Sequence, residues 1–243
     1  MKQLQFLTAV LLLLLIGVYP LRADQAADQI IDKVDGYRRV SNSFTMKIKI
    51  SDYKDDRLRE TAEFSGLFKG NEKSLLLCTK GRNIGMKVLM KGDCMWVSLT
   101  GSRRALRITP MQRLMGQASN GDVAKTTFST DYAAEIVEKN NKIIKLSLKA
   151  KRKGATYQKV RLYIDAQNYR PLKAEFFLLS GKHFKTAFYQ DFMIINGNAV
   201  VRKIRIEDII KKGRYSVLEY LDYTNARVPV KYFNVMYLPK LEL

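Results

Sequence analysis

A change of hydrophobic period at residue 44 constrains this chain more than any other feature. Phe44, Met46, Ile48 and Ile50 alternate with Thr45, Lys47 and Lys49. Period-two alternation places every apolar side chain on one face, the mark of a half-buried strand. The same pattern predicts strands at Glu60–Lys69, Ser74–Thr79, Met86–Met90, Met95–Leu99 and Arg104–Ile108. It resumes with Ile144, Leu146 and Leu148, with Val160, Leu162 and Ile164, and then at Pro171–Leu179, Phe184–Ile195, Ala199–Ile209 and Tyr215–Thr224. Turn signals such as Lys69-Gly70-Asn71, Lys91-Gly92-Asp93 and Asn196-Gly197-Asn198 separate them. About ten or eleven short strands so spaced predict a mainly β chain with few helices, its large antiparallel sheet closed as a barrel or strongly curled.

Two segments depart from that period. In residues 24–40 Ile30, Ile31, Val34 and Tyr37 recur at three-to-four spacing, which predicts an amphipathic helix from Asp24 to Val40. Pro110 to Met115 predicts a short helix with proline in its first turn, followed by a turn at Asn120-Gly121-Asp122. An N-terminal helix and a mid-chain segment give the sheet two covers, either as lids over a concave apolar face or as plugs completing an ordinary core. No repeat or linker divides residues 24–243, which are expected to form a single domain.

The N-terminus predicts export. Lys2 precedes an apolar run from Phe6 to Tyr19, Pro20 breaks it, and Leu21-Arg22-Ala23 offers a small residue for cleavage. That order is the pattern of a secretory signal peptide, here residues 1–23. The run is shorter than the ~20 residues that span a bilayer, so an uncleaved anchor is the weaker reading. No cysteine near the cut offers itself for lipid attachment. The chain carries 43 basic against 23 acidic residues, and losing Lys2 and Arg22 takes the formal charge from +20 to about +18. Export argues against nucleic acid as the counterpart and turns attention to anionic lipid headgroups, an acidic protein, or simple solubility. Cys78 and Cys94 fall about two strand spacings apart, too far for easy bridging, and are expected to be buried free thiols.

Catalytic chemistry finds little support. His183, the one histidine, lies in a predicted hairpin with no nucleophile motif beside it. No Cys/His spacing suits zinc and no glycine-rich loop suits phosphate, so no cofactor is expected. Asp55-Asp56 and Glu207-Asp208 are adjacent pairs whose side chains point to opposite strand faces. The strands are instead rich in adaptable apolar residues. Met86, Met90 and Met95 cluster with Leu89, Trp96 and Val97, and methionine suits surfaces that accept variable apolar partners. Such a face either packs as a dry core or holds a ligand.

The segment Val88-Leu89-Met90-Lys91-Gly92-Asp93-Cys94-Met95-Trp96-Val97 resembles the central hairpin of outer-membrane lipoprotein-sorting (LolA-like) proteins. The likeness continues through Arg103–Ile108, Gln112–Ala124, Tyr157–Ile164, Pro171–Phe176 and Ser180-Gly181-Lys182, covering most of residues 24–243 in order. It implies a half-open antiparallel barrel around a helix, closed by lid segments, with a concave face that receives acyl chains of lipoproteins or lipids in the periplasm. It also implies non-covalent transport by a monomer, with an inner-membrane exporter of the resistance-nodulation-division type as one partner. A second expectation is an interaction or sensor module on the same fold, docking a membrane transporter or signalling protein. Strand phase assigns Phe44, Met46, Ile48, Met86, Val88, Met90, Met95, Val97, Ile144 and Leu146 to the apolar lining. Trp96 falls on the opposite face from Met95 and is expected to pack elsewhere.

Overall fold

The computed structural model describes residues 21–39 and 41–241, so the apolar run of the expected leader lies outside the described residues. Helix α1 runs Leu21–Gly36 and buries Ala27, Ile30, Ile31 and Val34, the stripe that three-to-four spacing marks. It ends at Gly36, earlier than Val40, where glycine disfavours continuation.

Six strands follow as successive hairpins: β1 (Ser43–Lys54), β2 (Arg57–Lys69), β3 (Lys73–Lys80), β4 (Lys87–Lys91), β5 (Cys94–Ser98) and β6 (Leu106–Ile108). The chain then leaves the sheet for a small hairpin, β7 (Arg113–Met115) with β8 (Ala118–Ser119), and a one-turn helix, α2 (Asn120–Ala124). A second meander completes the chain: β9 (Tyr132–Lys139), β10 (Ile143–Ala150), β11 (Lys159–Asp165), β12 (Pro171–Phe177), β13 (His183–Ile195), β14 (Asn198–Asp208) and β15 (Arg214–Asn225). Pairing of β1 with β15 fuses both meanders into a thirteen-stranded antiparallel sheet, with Ile48 opposite Phe64 on one side and Tyr220 on the other.

The expectation of a curled sheet forming a half-open barrel is corrected by this strand order. The sheet runs linearly from β6 at one edge to β9 at the other, and among the described residues no ladder joins those edges. It is an open sheet. Alternation reports which face of a strand is buried, but it carries no information on whether distant edges meet. The β7–β8 hairpin and α2 occupy the chain between β6 and β9, so these two strands are not hairpin neighbours. Among the described residues, side chains tie the two halves at that side, as Arg152 after β10 reaches Glu72 and Asp93 in the turns flanking β3 and β4.

Two apolar layers form, one on each face. The larger joins α1, α2 and inward residues of both meanders, among them Phe44, Phe68, Ile144, Leu146, Tyr157, Leu162 and Leu218. The smaller packs Leu67, Leu75 and Leu89 on the opposite face beneath Val228, Phe233 and Leu238 of the C-terminal segment. Both faces of β3 and β4 are therefore covered, which is why Ser74–Thr79 and Val88–Met90 read as apolar runs rather than alternations. Trp96 joins this outer layer, on the face opposite Met95, beneath a C-terminal segment that contains two short 3-10 helices, Val230–Phe233 and Leu238–Lys240.

Candidate functional site

The inward face was expected to be lined by ten residues, and the structure places all ten in or against the larger core. Their surroundings divide them. Phe44, Ile48, Met95, Ile144 and Leu146 are fully buried in close packing. Phe44 stacks on Phe68 with ring centroids 4.8 Å apart, leaving no space between the first two strands. Met46 and Met90 reach only small crevices elsewhere. Met86, Val88 and Val97 differ, because together with Ile108, Gln112, Arg113, Leu114 and Asn120 they line a cleft of about 350 Å³.

Local sequence explains this cleft. Val88 pairs with Val97 across β4 and β5, and Val97 pairs with Leu106 on β6, so one row of inward positions ends at a sheet edge. Beyond that edge the chain turns through Thr109 to Gln112. The Gln112 carbonyl then accepts hydrogen bonds from the Asn120 backbone and side-chain amides at 2.9 and 2.8 Å. The Pro110 carbonyl accepts from the Gly121 amide at 2.8 Å. These bonds fix the β7–β8 hairpin over the edge, and Leu114 on β7 is buried beneath it. The predicted helix at Pro110–Met115 is thus a turn and a strand. Helix forms instead at Asn120–Ala124, where a turn was expected, with the Ser119 amide donating to the Asp122 carboxylate at 2.8 Å. The lining contributed by Ile108, Gln112, Arg113, Leu114 and Asn120 was not legible beforehand, because it belongs to a loop whose path periodicity does not specify.

Deeper in the core lies a polar group that no motif announced. Lys185, buried on β13, donates to Ser119 Oγ at 2.7 Å and Tyr157 Oη at 3.2 Å and pairs with Asp122 at 3.3 Å. Tyr157 Oη donates to Asp122 Oδ1 at 2.8 Å. A serine, a lysine and a tyrosine in contact could suggest a nucleophile and its base. Here the lysine is ion-paired with a carboxylate, and Ser119, 1% exposed, lines none of the cavities described. The cluster instead pins α2 to the sheet. Burial pushes the Tyr157 phenol well above its ordinary range, so it remains a neutral donor.

Neighbouring charges follow the same rule. Lys125 pairs with Asp131 at 2.5 Å, and both are buried. Asp35, at the C-terminal end of α1, accepts the Phe128 and Ser129 amides at 2.6 and 2.9 Å. Burial raises its carboxyl to about 6 against that pull. His183 opens β13 and contacts Lys185 O and Thr186 Oγ1 at 3.0 Å, a structural arrangement. Cys78 and Cys94 are free; Cys78 is buried and burial raises its thiol, whereas Cys94 is only partly covered. Among the described residues no group of three or more His, Cys, Asp or Glu could hold a metal ion, and no helix is long and apolar enough to cross a membrane.

A LolA superfamily protein of solved structure from Nitrosomonas europaea is 34% identical to this chain. The match covers 87% of this chain and 98% of that one, with a TM-score of 0.80. The chain belongs to the LolA superfamily. A family model described as "Uncharacterized protein" matches residues 70–240. Two further structures share the fold at TM-scores of 0.73. One, a DUF1329 family protein from Desulfovibrio piger, is 18% identical over 89% of this chain and 99% of its own. The other, from Vibrio parahaemolyticus, is described as an outer membrane lipoprotein-sorting protein domain and is 16% identical over 89% and 99%. Among curated proteins none matches.

Proposed function

We propose that this chain is a periplasmic carrier that holds acyl chains of lipoproteins or lipids in the cleft between β4–β6 and the β7–β8 hairpin. The observation that carries the reading is the cleft itself, about 350 Å³ with Met86, Val88, Val97, Ile108 and Leu114 as apolar walls. That volume falls within the ~300–1,000 Å³ usual for small-molecule sites. Each buried methylene of a chain contributes about 0.8 kcal/mol, so a wall this apolar rewards a tail. Gln112, Arg113 and Asn120 supply polar groups to the same lining for whatever head the tail bears. Superfamily membership and the lipoprotein-sorting relative support the same class of cargo. In this reading residues 1–23 are a cleaved signal peptide, residues 24–243 act as one monomeric domain, and the basic surface meets anionic membrane.

Uptake of a fluorescent fatty acid by the purified protein tests the proposal. Val97→Trp fills the cleft and should weaken uptake at least tenfold while the fold, read by circular dichroism, is kept. A ligand-free protein that takes up no acyl probe overturns it. The filled centre of the core favours a second reading, an interaction module that docks an inner-membrane exporter or signalling protein and uses the cleft only as part of its surface. Crosslinking to a single membrane partner, unaffected by Val97→Trp, would select that reading.

A further inference from the structure

The outer face of the sheet carries a row of like charges. Lys69 on β2 lies opposite Lys73 on β3, and Lys73 lies opposite Lys91 on β4. Alternation puts all three on the face of Leu67, Leu75 and Leu89, which belong to the smaller apolar layer. Each lysine is two residues along its strand from that layer, about 7 Å. Lysines set directly opposite one another repel. The carboxylates next to them in the chain do not relieve this, because Glu72 and Asp93 are both taken by Arg152. Lys69 donates to the Val228 carbonyl at 2.9 Å, and Lys73 and Lys91 have no ion pair among the described residues.

The C-terminal segment extends this charge. It crosses the outer face above β3 and β4, held by Val228, Phe233 and Leu238 beneath it. Between Asp222 and Glu242 its charged residues are Arg227, Lys231 and Lys240, all basic. Asp222 is paired with Lys47 at 3.0 Å, and Glu242 lies outside the described residues. The same segment leaves apolar groups uncovered: Met236 is 81% exposed, Tyr237 59% and Val230 56%. Lys231, Tyr232, Tyr237, Lys240 and Leu241 surround a groove of about 410 Å³. A single exposed apolar side chain is ordinary. Exposed methionine, valine and tyrosine set among cations form a different surface. Charge alone would suit an acidic protein; basic heads mixed with apolar tips suit anionic headgroups laid over hydrocarbon.

We propose that this outer face is the docking surface for an anionic lipid bilayer. The lysine row, Arg227, Lys231 and Lys240 meet headgroup phosphates, while Met236 and Tyr237 enter the boundary with the acyl chains. The inference rests on the carrier reading above, in which the basic surface meets membrane, and deepens it by naming the face. Docking there leaves the acyl cleft free. Trp96 belongs to the outer layer, whereas Val97, the next residue, lines the cleft on the inward face. Membrane face and cargo face are thus back to back on the same strands.

The test is co-sedimentation with vesicles of phosphatidylcholine, either alone or with about one-third phosphatidylglycerol. The protein is purified from the periplasm of an expression host, and comparing variants with wild type cancels whatever residues 1–23 contribute. Wild type should bind the anionic vesicles at least tenfold more tightly than the neutral ones, with the margin shrinking as salt rises. Each basic side chain near such a surface contributes about a fivefold factor. Lys73→Gln, Lys91→Gln and Lys240→Gln combined should therefore weaken binding on the order of a hundredfold. A control of equal charge, Lys139→Gln, Lys142→Gln and Lys149→Gln combined, lies at β9 and β10 and should keep binding within about threefold of wild type. Met236→Ser with Tyr237→Ser should weaken binding about tenfold. Equal binding to the two vesicles, equal loss in the two triple-lysine variants, or no loss with Met236→Ser and Tyr237→Ser overturns the proposal. Binding of polyglutamate without binding to vesicles assigns the face to an acidic protein and also overturns it. Val97→Trp should weaken fatty-acid uptake and leave vesicle binding unchanged, whereas the Lys73, Lys91 and Lys240 variant should do the reverse in vesicle-free buffer. Failure of the acyl cleft and failure of the docking face therefore give different patterns.

Discussion

The centre of the sheet and its β4–β6 end are built from the same kinds of residue and behave differently. At the centre, Ile48, Ile144 and Leu146 face neighbouring strands and α1 and are fully enclosed. At the end, Val97 and Ile108 occupy equivalent inward positions, but the next layer is a hairpin held by a few backbone bonds rather than another packed element. Side-chain chemistry does not separate the two regions. What covers them does, and a cleft arises where a sheet's apolar row outruns its cover.

The largest effects should fall in the closed region. Replacing Lys185 with Met removes the partner of Asp122 and leaves a carboxylate buried among Ser119 and Tyr157. Breaking a buried pair in this way costs about 3–5 kcal/mol. Urea denaturation should therefore show a large loss of stability, whereas acyl binding by the folded fraction stays close to wild type. Leu146→Ala should cost about 2–5 kcal/mol, since a fully enclosed site collapses poorly around the missing atoms. A loss under 1 kcal/mol would break the distinction between the regions.

Acidity gives a sharper probe of the same interior. Burial raises Asp35 from 3.8 to about 6, so the native state binds its proton more tightly than the unfolded chain does. Its contribution to stability is fully present below about pH 3.8 and is lost as the pH rises through 6. A shift of two units corresponds to about 3 kcal/mol. Asp35→Asn retains one acceptor oxygen for the Phe128 and Ser129 amides and removes the linked proton. Denaturation midpoints of wild type relative to Asp35→Asn should rise as the pH falls from 7 to 4.5. A difference independent of pH would mean that water reaches this carboxyl and that the core at the end of α1 is open rather than closed.

The sequence specified the two regions unequally. Alternation placed Phe44, Met46 and Ile48, and later Ile144 and Leu146, on the inward face, and the structure has them there, because a strand's period is a local property. It missed β9, where Tyr132 and Ala134 are the buried pair and small, weakly strand-forming alanines dilute the pattern. It gave no view of Val228, Phe233 and Leu238, whose role depends on folding back over a distant face. For the site, Met86, Val88 and Val97 were legible as apolar lining. Arg38, Asp35, Asp122 and Lys185 were not, since they are held only by tertiary contacts between residues up to 94 positions apart, with no spacing to signal them. Edge closure was likewise invisible, which is why a rolled half-barrel was expected and an open sheet found.

The smallest effect is the most discriminating. Ile108 on β6 faces the cleft and is only partly buried, so its side chain already borders empty space. Ile108→Ala removes atoms from a wall rather than from a packed interior, and little new cavity is created. The stability cost should be about 1 kcal/mol, below the range for enclosed isoleucines. Loss of a chain-facing contact of similar size should weaken uptake of a fluorescent fatty acid about fivefold. Leu146→Ala predicts the inverse pattern, a large stability loss with uptake per folded molecule unchanged. If Ile108→Ala instead costs 3 kcal/mol and leaves uptake intact, the β4–β6 end is part of the core and the acyl chain, if bound, lies elsewhere. If both substitutions weaken uptake equally, the cleft extends into the centre, and the enclosed packing there must open to admit cargo.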